Sequence, residues 1–273
     1  MKKLMLPHCL LIALAVASAP FALAQGALPA SQPKRLTIIR EEVKVGRAGD
    51  HARNEAGWPA ALEKAKAPVN YIAITSMTGP SEAWYLESFE SYAAEAAAMK
   101  HDENDPVLMA ETDRLAARDA EFITSSTTIQ TVARPDLSVG KFPDVGKIRF
   151  FQISTYTVRP GQDAKWDTLV KAYNASRLRV APNASYRVYS VSAGMAAPTY
   201  LVIASVEDYG QFDQIAADHR ATLSGANPAE RAELDKYGDL VVRAQTNLFR
   251  VDPVQSYVPK ETREKDPDFW MKK

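Results

Sequence analysis

Val43-Lys44-Val45-Gly46 and Thr157-Val158-Arg159-Pro160-Gly161 are the two stretches that decide the fold. Each closes a run of β-branched residues at a glycine, and each is followed by a helix-like stretch. Outward from them the two halves of the chain keep step. Gly46 and Gly161, Tyr71 and Tyr186, Gly79 and Gly194, and Tyr85 and Tyr200 all stand 115 residues apart. Further on, Arg134-Pro135 and Asp252-Pro253 stand 118 apart. A repeat of this length is too long for a solenoid unit and is the size of a small domain. Two such units in one chain suggest a dimer fused into a monomer.

The pattern within each half is the same. Leu36 to Val45 reads as a strand; residues 47–66 read as a helix that Gly57 and Pro59 interrupt. Val69 to Ser76 and Ala83 to Ser88 read as a hairpin around Gly79-Pro80. Residues 90–100 are helical. Asp105-Pro106 predicts an N-cap with proline at the first helical position, and Phe122 to Val132 ends the unit as a strand. In the second half Ile148 to Val158 is a strand, and Trp166, Leu169, Val170 and Tyr173 form one apolar helical face. Tyr186 to Val191 pairs with Thr199 to Ala204 around Gly194, residues 207–223 are helical, Asn227-Pro228 restarts a helix, and Leu248 to Val251 belongs to the last strand. The boundaries follow: a leader over 1–24, one unit over 30–140, a linker over 141–147, a second unit over 148–258, and a tail over 259–273. Phe269-Trp270 in that tail either docks on the body or frays with the terminus.

The order β-α-β-β-α-β gives a ferredoxin-like sheet with helices on one face and the other face bare. The expected fold is therefore α+β: two tandem ferredoxin-like units packed sheet to sheet as an intrachain pseudo-dimeric α+β barrel. In this the chain resembles the dimeric α+β barrel superfamily over about residues 35–256, most of all its NIPSNAP and antibiotic-biosynthesis-monooxygenase-like branches. The resemblance rests on the two strand ends quoted above and on Ser76-Met77-Thr78-Gly79-Pro80 followed by Trp84-Tyr85. It implies a pocket between sheet and helices. Members of the superfamily include cofactor-free monooxygenases, haem-binding enzymes and proteins with no known activity.

Lys2-Lys3, the apolar run from Leu10 to Ala17 and Ala22-Leu23-Ala24 read as a secretory signal cut after Ala24. The run is too short to span a membrane. Export to the periplasm, or secretion, is expected. Cys9 is the only cysteine and leaves with the signal, which excludes disulfides, thiolate metal sites and cysteine nucleophiles. The 33 basic residues, less the two leader lysines, stand against 33 acidic ones with no basic stripe, so no nucleic-acid partner is expected. With the pairing of units already made within the chain, a monomer is expected.

Candidate site residues are few. Tyr71, Tyr85, Tyr186 and Tyr200 lie on the strands and are candidate ligand-binding residues; aromatic strand residues also serve as ordinary core. The resemblance adds Asn70 and Trp84, the residue types that cofactor-free monooxygenases use to aid oxygen chemistry. It also adds His101 and His219, 118 residues apart, because haem-binding members often take an axial histidine from a helix in this region. Lys100-His101-Asp102 and Asp218-His219-Arg220 equally suit a solvated helix end. Glu41-Glu42 and Asp102-Glu103 read as solvated surface, so no metal centre is expected, and no cofactor beyond haem as the alternative. No nucleophile elbow, phosphate loop or His-Glu-x-x-His motif is present. The expected function is binding of a small, largely apolar or aromatic molecule. The alternatives are a cofactor-free monooxygenase-like or haem-linked oxidoreductase, and an interaction module.

Overall fold

A computed structural model describes residues 26–271, so the leader expectation lies outside the described residues. The first half contains β1 (Arg35–Val43), α1 (Ala48–Glu55), α2 (Gly57–Ala65), β2 (Tyr71–Ser76), β3 (Glu82–Phe89), α3 (Tyr92–Glu103), α4 (Pro106–Asp119) and β4 (Ile123–Ala133). The second contains β5 (Phe150–Val158), α5 (Asp163–Val180), β6 (Arg187–Ala193), β7 (Thr199–Val206), α6 (Gln211–Ser224), α7 (Pro228–Leu234), α8 (Tyr237–Leu240) and β8 (Val241–Tyr257). Two short helices follow, α9 (Lys260–Lys265) and α10 (Pro267–Trp270). Among the described residues no helix is long and apolar enough to cross a membrane.

Local chemistry accounts for the element ends. Gly46 and Gly161 both adopt positive φ, 81° and 78°, at the turn from first strand to first helix, a conformation that costs glycine little. The interrupted helix of residues 47–66 is two helices broken at Ala56. Asp105 caps α4 by accepting from the amides of Val107 and Leu108, with Pro106 behind it. Asn227 and Glu230 form a reciprocal capping box at α7.

The strands close into one antiparallel barrel in the order β1-β3-β2-β8-β5-β7-β6-β4. Each half contributes four neighbouring strands in the same order, β4-β1-β3-β2 and β8-β5-β7-β6. The inner faces meet inside the barrel. The edges also hydrogen-bond, β2 to β8 and β4 to β6, so among the described residues no edge strand is left open. Alternate residues fill the interior, among them Ile38, Ile74, Trp84, Ile129, Ile153, Leu201 and Phe249. An eight-stranded barrel is narrow enough for side chains to fill. The opposite residues of each strand face the helices. Tyr71, Ala73, Ala83 and Tyr85 meet Leu62, Ala98 and Leu108 in one half; Tyr186, Val188 and Tyr200 meet Trp166, Leu169 and Val170 in the other.

Register separates positions that equal spacing pairs. Thr75 faces Ala83 across the first hairpin, and Ser190 faces Tyr200 across the second. With Thr75 matched to Ser190, Tyr200 answers to Ala83. The equal spacing of Tyr85 and Tyr200 therefore does not make them structural equivalents, because the second hairpin is two residues longer. The tail docks: Trp270 is buried and its Nε1 donates to the Gly146 carbonyl at 3.0 Å, while the Arg149 guanidinium lies 3.7 Å from the Phe269 ring centre.

Candidate functional site

The space between sheet and helices is used differently in the two halves. In the second half it is a cavity of about 780 Å³. Its floor is the outer face of the sheet: Gln152, Ser154 and Tyr156 from β5, Val202 and Ala204 from β7, and Thr246 from β8. Its walls are α5, through Trp166, Tyr173 and Arg177, and α6, through Ile215, Asp218 and His219. The lining is mostly apolar and aromatic with a few polar groups converging, the composition typical of a small-molecule site.

Those polar groups form a connected set. Arg177 is 5% exposed. Its Nη1 donates to the Tyr173 hydroxyl at 3.2 Å and its Nη2 lies 3.7 Å from Asp218 Oδ2. Its Nε is buried and makes no hydrogen bond among the described residues. A buried guanidinium with an unused donor is a costly group unless an acceptor meets it. The Tyr173 hydroxyl also lies 2.8 Å from His219 Nδ1. Partial desolvation at the cavity wall, with Arg177 and Arg220 nearby, holds the His219 imidazole below its ordinary pKa, which favours the neutral ring. Ser154 and Thr246 share a hydroxyl hydrogen bond of 2.7 Å beneath.

The first half places a polar cluster at the corresponding level. Glu41 from β1, His51 and Glu55 from α1, and Asp119 from the end of α4 bring one ligand-type atom each to within 4.8 Å of one another. His51 Nε2 lies 3.0 Å from Glu41 Oε2 and 3.8 Å from Asp119 Oδ1. Trp58 Nε1 donates to Glu55 Oε1 at 3.1 Å, and Asn54 donates to the Leu115 carbonyl at 3.0 Å and towards Asp119 at 3.4 Å. Burial and the charges of Glu41 and Asp119 push the Glu55 carboxyl up to about 8. Burial and Glu41 push Asp119 to about 6. Burial draws the His51 imidazole down, but its bond to Glu41 and the charges of Asp119 and Glu55 outweigh that and leave it raised. Glu41 is thus no member of a solvated surface pair: it turns inward onto His51. Residue spacing in the sequence signals only the His51–Glu55 pair, four apart on one helix face. Its partners come from a strand and a distant helix.

A second cavity, about 460 Å³, opens at one barrel end beneath residues 26–29 and 142–145. Asn70 and Tyr71 line it, and Asn70 Nδ2 donates to the Gly26 carbonyl at 2.7 Å.

The sequence candidates therefore scatter. His219 and Tyr186 line the large cavity. His101, at the equivalent turn of α3, pairs with Asp102 at 3.1 Å and lines neither cavity. Trp84 points into the barrel against Phe249 and donates to Glu82 at 2.8 Å. Asn70 and Trp84 are not brought together. Tyr85 packs in the first-half core with its hydroxyl on Gln255 at 3.1 Å, and Tyr200 bonds Asp163 at 3.0 Å. The sequence places Tyr173 only on the apolar face of its helix and gives Arg177 no role. The only available sign was their spacing of four on the helix carrying Trp166.

No protein-family model matches the chain, and no curated protein matches it. Solved structures do. A candidate monooxygenase from Fusobacterium nucleatum subsp. nucleatum is 12% identical with a TM-score of 0.51, over 80% of this chain and 91% of that one. An anthrone oxidase-like protein is 12% identical with a TM-score of 0.52, over 84% and 96%. A candidate chlorite dismutase is 12% identical with a TM-score of 0.50, over 82% and 97%. At such identity the likeness is one of fold. The chain has the dimeric α+β barrel fold that these proteins share, completed within a single polypeptide.

Proposed function

We propose that the protein binds a small, largely apolar molecule bearing an anionic or hydrogen-bond-accepting group, in the cavity between β5–β8 and helices α5 and α6. The observation that carries this is the buried Arg177 beside the aromatic wall of a cavity of about 780 Å³, its Nε without an acceptor among the described residues. The apolar body of the ligand lies against Tyr156, Trp166 and Val202, and its polar group meets Arg177. Tyr173 bridges Arg177 and His219 and holds both in place.

A haem-linked oxidoreductase is the second reading, favoured by His219. Its Nδ1 is engaged by Tyr173, it is kept neutral, and Nε2 makes no hydrogen bond among the described residues. Neutral imidazole is the ligating form. The residues fit such a group: His219 Nε2 would hold the iron and Arg177 would meet a carboxylate edge. Bound haem would supply redox chemistry at iron; the chain's own part is to hold, orient and shield it. The neighbours described as a candidate monooxygenase and a candidate chlorite dismutase are compatible with either reading. Asn70 and Trp84 give no support to a cofactor-free oxygenase site, since they face different spaces.

Titration of the mature protein with haemin and with the anionic aromatic probe anilinonaphthalene sulfonate tests this. The binding reading expects one probe molecule per chain, lost in Ala204→Trp and weakened in Arg177→Met. A Soret band that His219→Ala abolishes selects the haem reading. Failure of both titrations removes the proposal.

The finer architecture belongs to the same proposal. The two halves are tandem ferredoxin-like units of common origin, over about 30–140 and 148–258, with NIPSNAP-like kinship. The protein is exported to the periplasm or secreted as a monomer after cleavage following Ala24. The intact mass of the exported protein and its sedimentation check these points; a retained leader or an obligate dimer contradicts them.

A further inference from the structure

We propose that the first half holds a divalent first-row transition cation between Glu41, His51, Glu55 and Asp119. This site is separate from the second-half cavity and does not depend on it.

The four donors come from three rigid elements. His51 and Glu55 are one turn apart on α1, Glu41 projects from β1 towards them, and Asp119 ends α4. Glu41 Oε2 and Asp119 Oδ1 lie 3.0 and 3.8 Å from the His51 nitrogen, the separation of about 3 to 4 Å between ligands that each sit about 2.1 Å from a common ion, and all four donors lie within 4.8 Å of one another. Groups outside the cluster orient its members: Trp58 fixes Glu55, and Asn54 fixes Asp119. Such outer partners are a regular feature of metal sites.

Charge alone leaves the cluster unexplained. Three carboxylates converge on one imidazole, and among the described residues no Lys or Arg pairs with any of them. Asp119 is 3% exposed, and its Oδ2 is buried without a hydrogen-bond partner. A buried carboxylate oxygen with no donor is an incomplete site. A divalent ion supplies what is missing, since it neutralises like charges that otherwise repel and takes the orphaned oxygen as a ligand.

The fold does not demand these residues. The Lys44 amide bonds the Phe122 carbonyl as the Arg159 amide bonds the Leu240 carbonyl, and His51 bonds back to Arg47 as Trp166 does to Gln162. By these matches Glu41, His51, Glu55 and Asp119 correspond to Tyr156, Trp166, Val170 and Tyr237. There the rings simply pack: Tyr156 lies 5.2 Å from Trp166 and 6.4 Å from Tyr237 between ring centres. Apolar residues therefore build this corner of the architecture without charge.

One imidazole with three carboxylates suits Zn²⁺, Mn²⁺ or Fe²⁺ better than Ca²⁺, which takes oxygen ligands only. The test uses the full mature protein, stripped with a chelator and titrated calorimetrically with Zn²⁺, Mn²⁺ and Ca²⁺ separately. One Zn²⁺ or Mn²⁺ per chain is expected, with a rise in Tm on binding. Glu55→Gln and Asp119→Asn should each weaken binding by about 100-fold or more, and His101→Gln should not. X-ray absorption at the bound ion, read on the wild-type protein whatever the variants' folding, should show oxygen ligands with one imidazole. No stoichiometric binding, equal affinity for Ca²⁺, a shell without imidazole, or full affinity in a folded Glu55→Gln would each overturn the proposal.

Discussion

At the same corner of the fold, one half of the molecule is acidic and closed, and the other is aromatic and hollow. Glu41, His51, Glu55 and Asp119 fill the first; Tyr156, Trp166, Val170 and Tyr237 line the second. The backbone hydrogen bonds that frame the two corners are the same. The helices around them differ, since the first breaks at Ala56 where α5 runs on, but the change from acid to aromatic is one of side chains. It shows that the barrel closes with either set of side chains at this corner. A polar cluster retained where apolar packing would serve is more simply explained by a ligand than by stability, because a buried ionic group is often no more stable than an apolar one of similar volume.

Exchanging residues between the corners should separate these roles. The largest effect is expected from Val170→Glu, which puts a carboxyl among Trp166 and Leu169 without the first half's partners. Loss of about 3 kcal/mol or more in urea unfolding is expected, the scale of an uncompensated buried charge. The reverse exchange, Glu55→Met in chelator-treated protein, should raise stability by about 1 to 3 kcal/mol, because it removes one of three converging carboxylates. Destabilisation instead would mean that the cluster is structural in its own right.

Smaller effects are expected in the cavity. Arg177→Met should weaken binding of anilinonaphthalene sulfonate by about 10- to 100-fold, the loss of a hydrogen bond to a charged group. His101→Gln should leave that binding unchanged, because His101 lines neither cavity. The smallest effect concerns pH. His219 has a folded pKa below its unfolded value, so the unfolded chain takes up its proton first as pH falls. Its contribution to stability is present above about pH 6.5 and is lost as pH drops through the lower folded value. His219→Gln should flatten the fall of the urea midpoint between about pH 7 and 5; an unchanged slope would show that Arg177 and the cavity wall do not hold the ring below its ordinary value.

What the sequence made legible follows from the range of the interactions. Gly46 and Gly161, the break near Gly57 and the Asp105-Pro106 cap are decided by neighbours in the chain, and the structure keeps them all. The α+β barrel follows from element order, since two bare sheet faces must cover each other. Closure at the β2–β8 and β4–β6 edges was not legible, because it depends on register between distant strands. The same holds for the site. His219 could be suspected from its position on a helix, but its bond to Tyr173 joins residues 46 apart in sequence. Glu41 looked like surface because Glu42 follows it; only strand alternation, with α1 lying over that face, turns one of the pair inward. Asp119 meets it from a helix end 78 residues later, a distance at which spacing carries no signal.

The central claim is that the two halves hold different ligands independently. Native mass spectrometry of the mature protein with Zn²⁺ and anilinonaphthalene sulfonate together tests it in one measurement. The wild-type protein should carry one of each, Glu55→Gln should lose the metal and keep the probe, and Ala204→Trp should lose the probe and keep the metal. Loss of both ligands in either folded variant, or loss of neither, would contradict it.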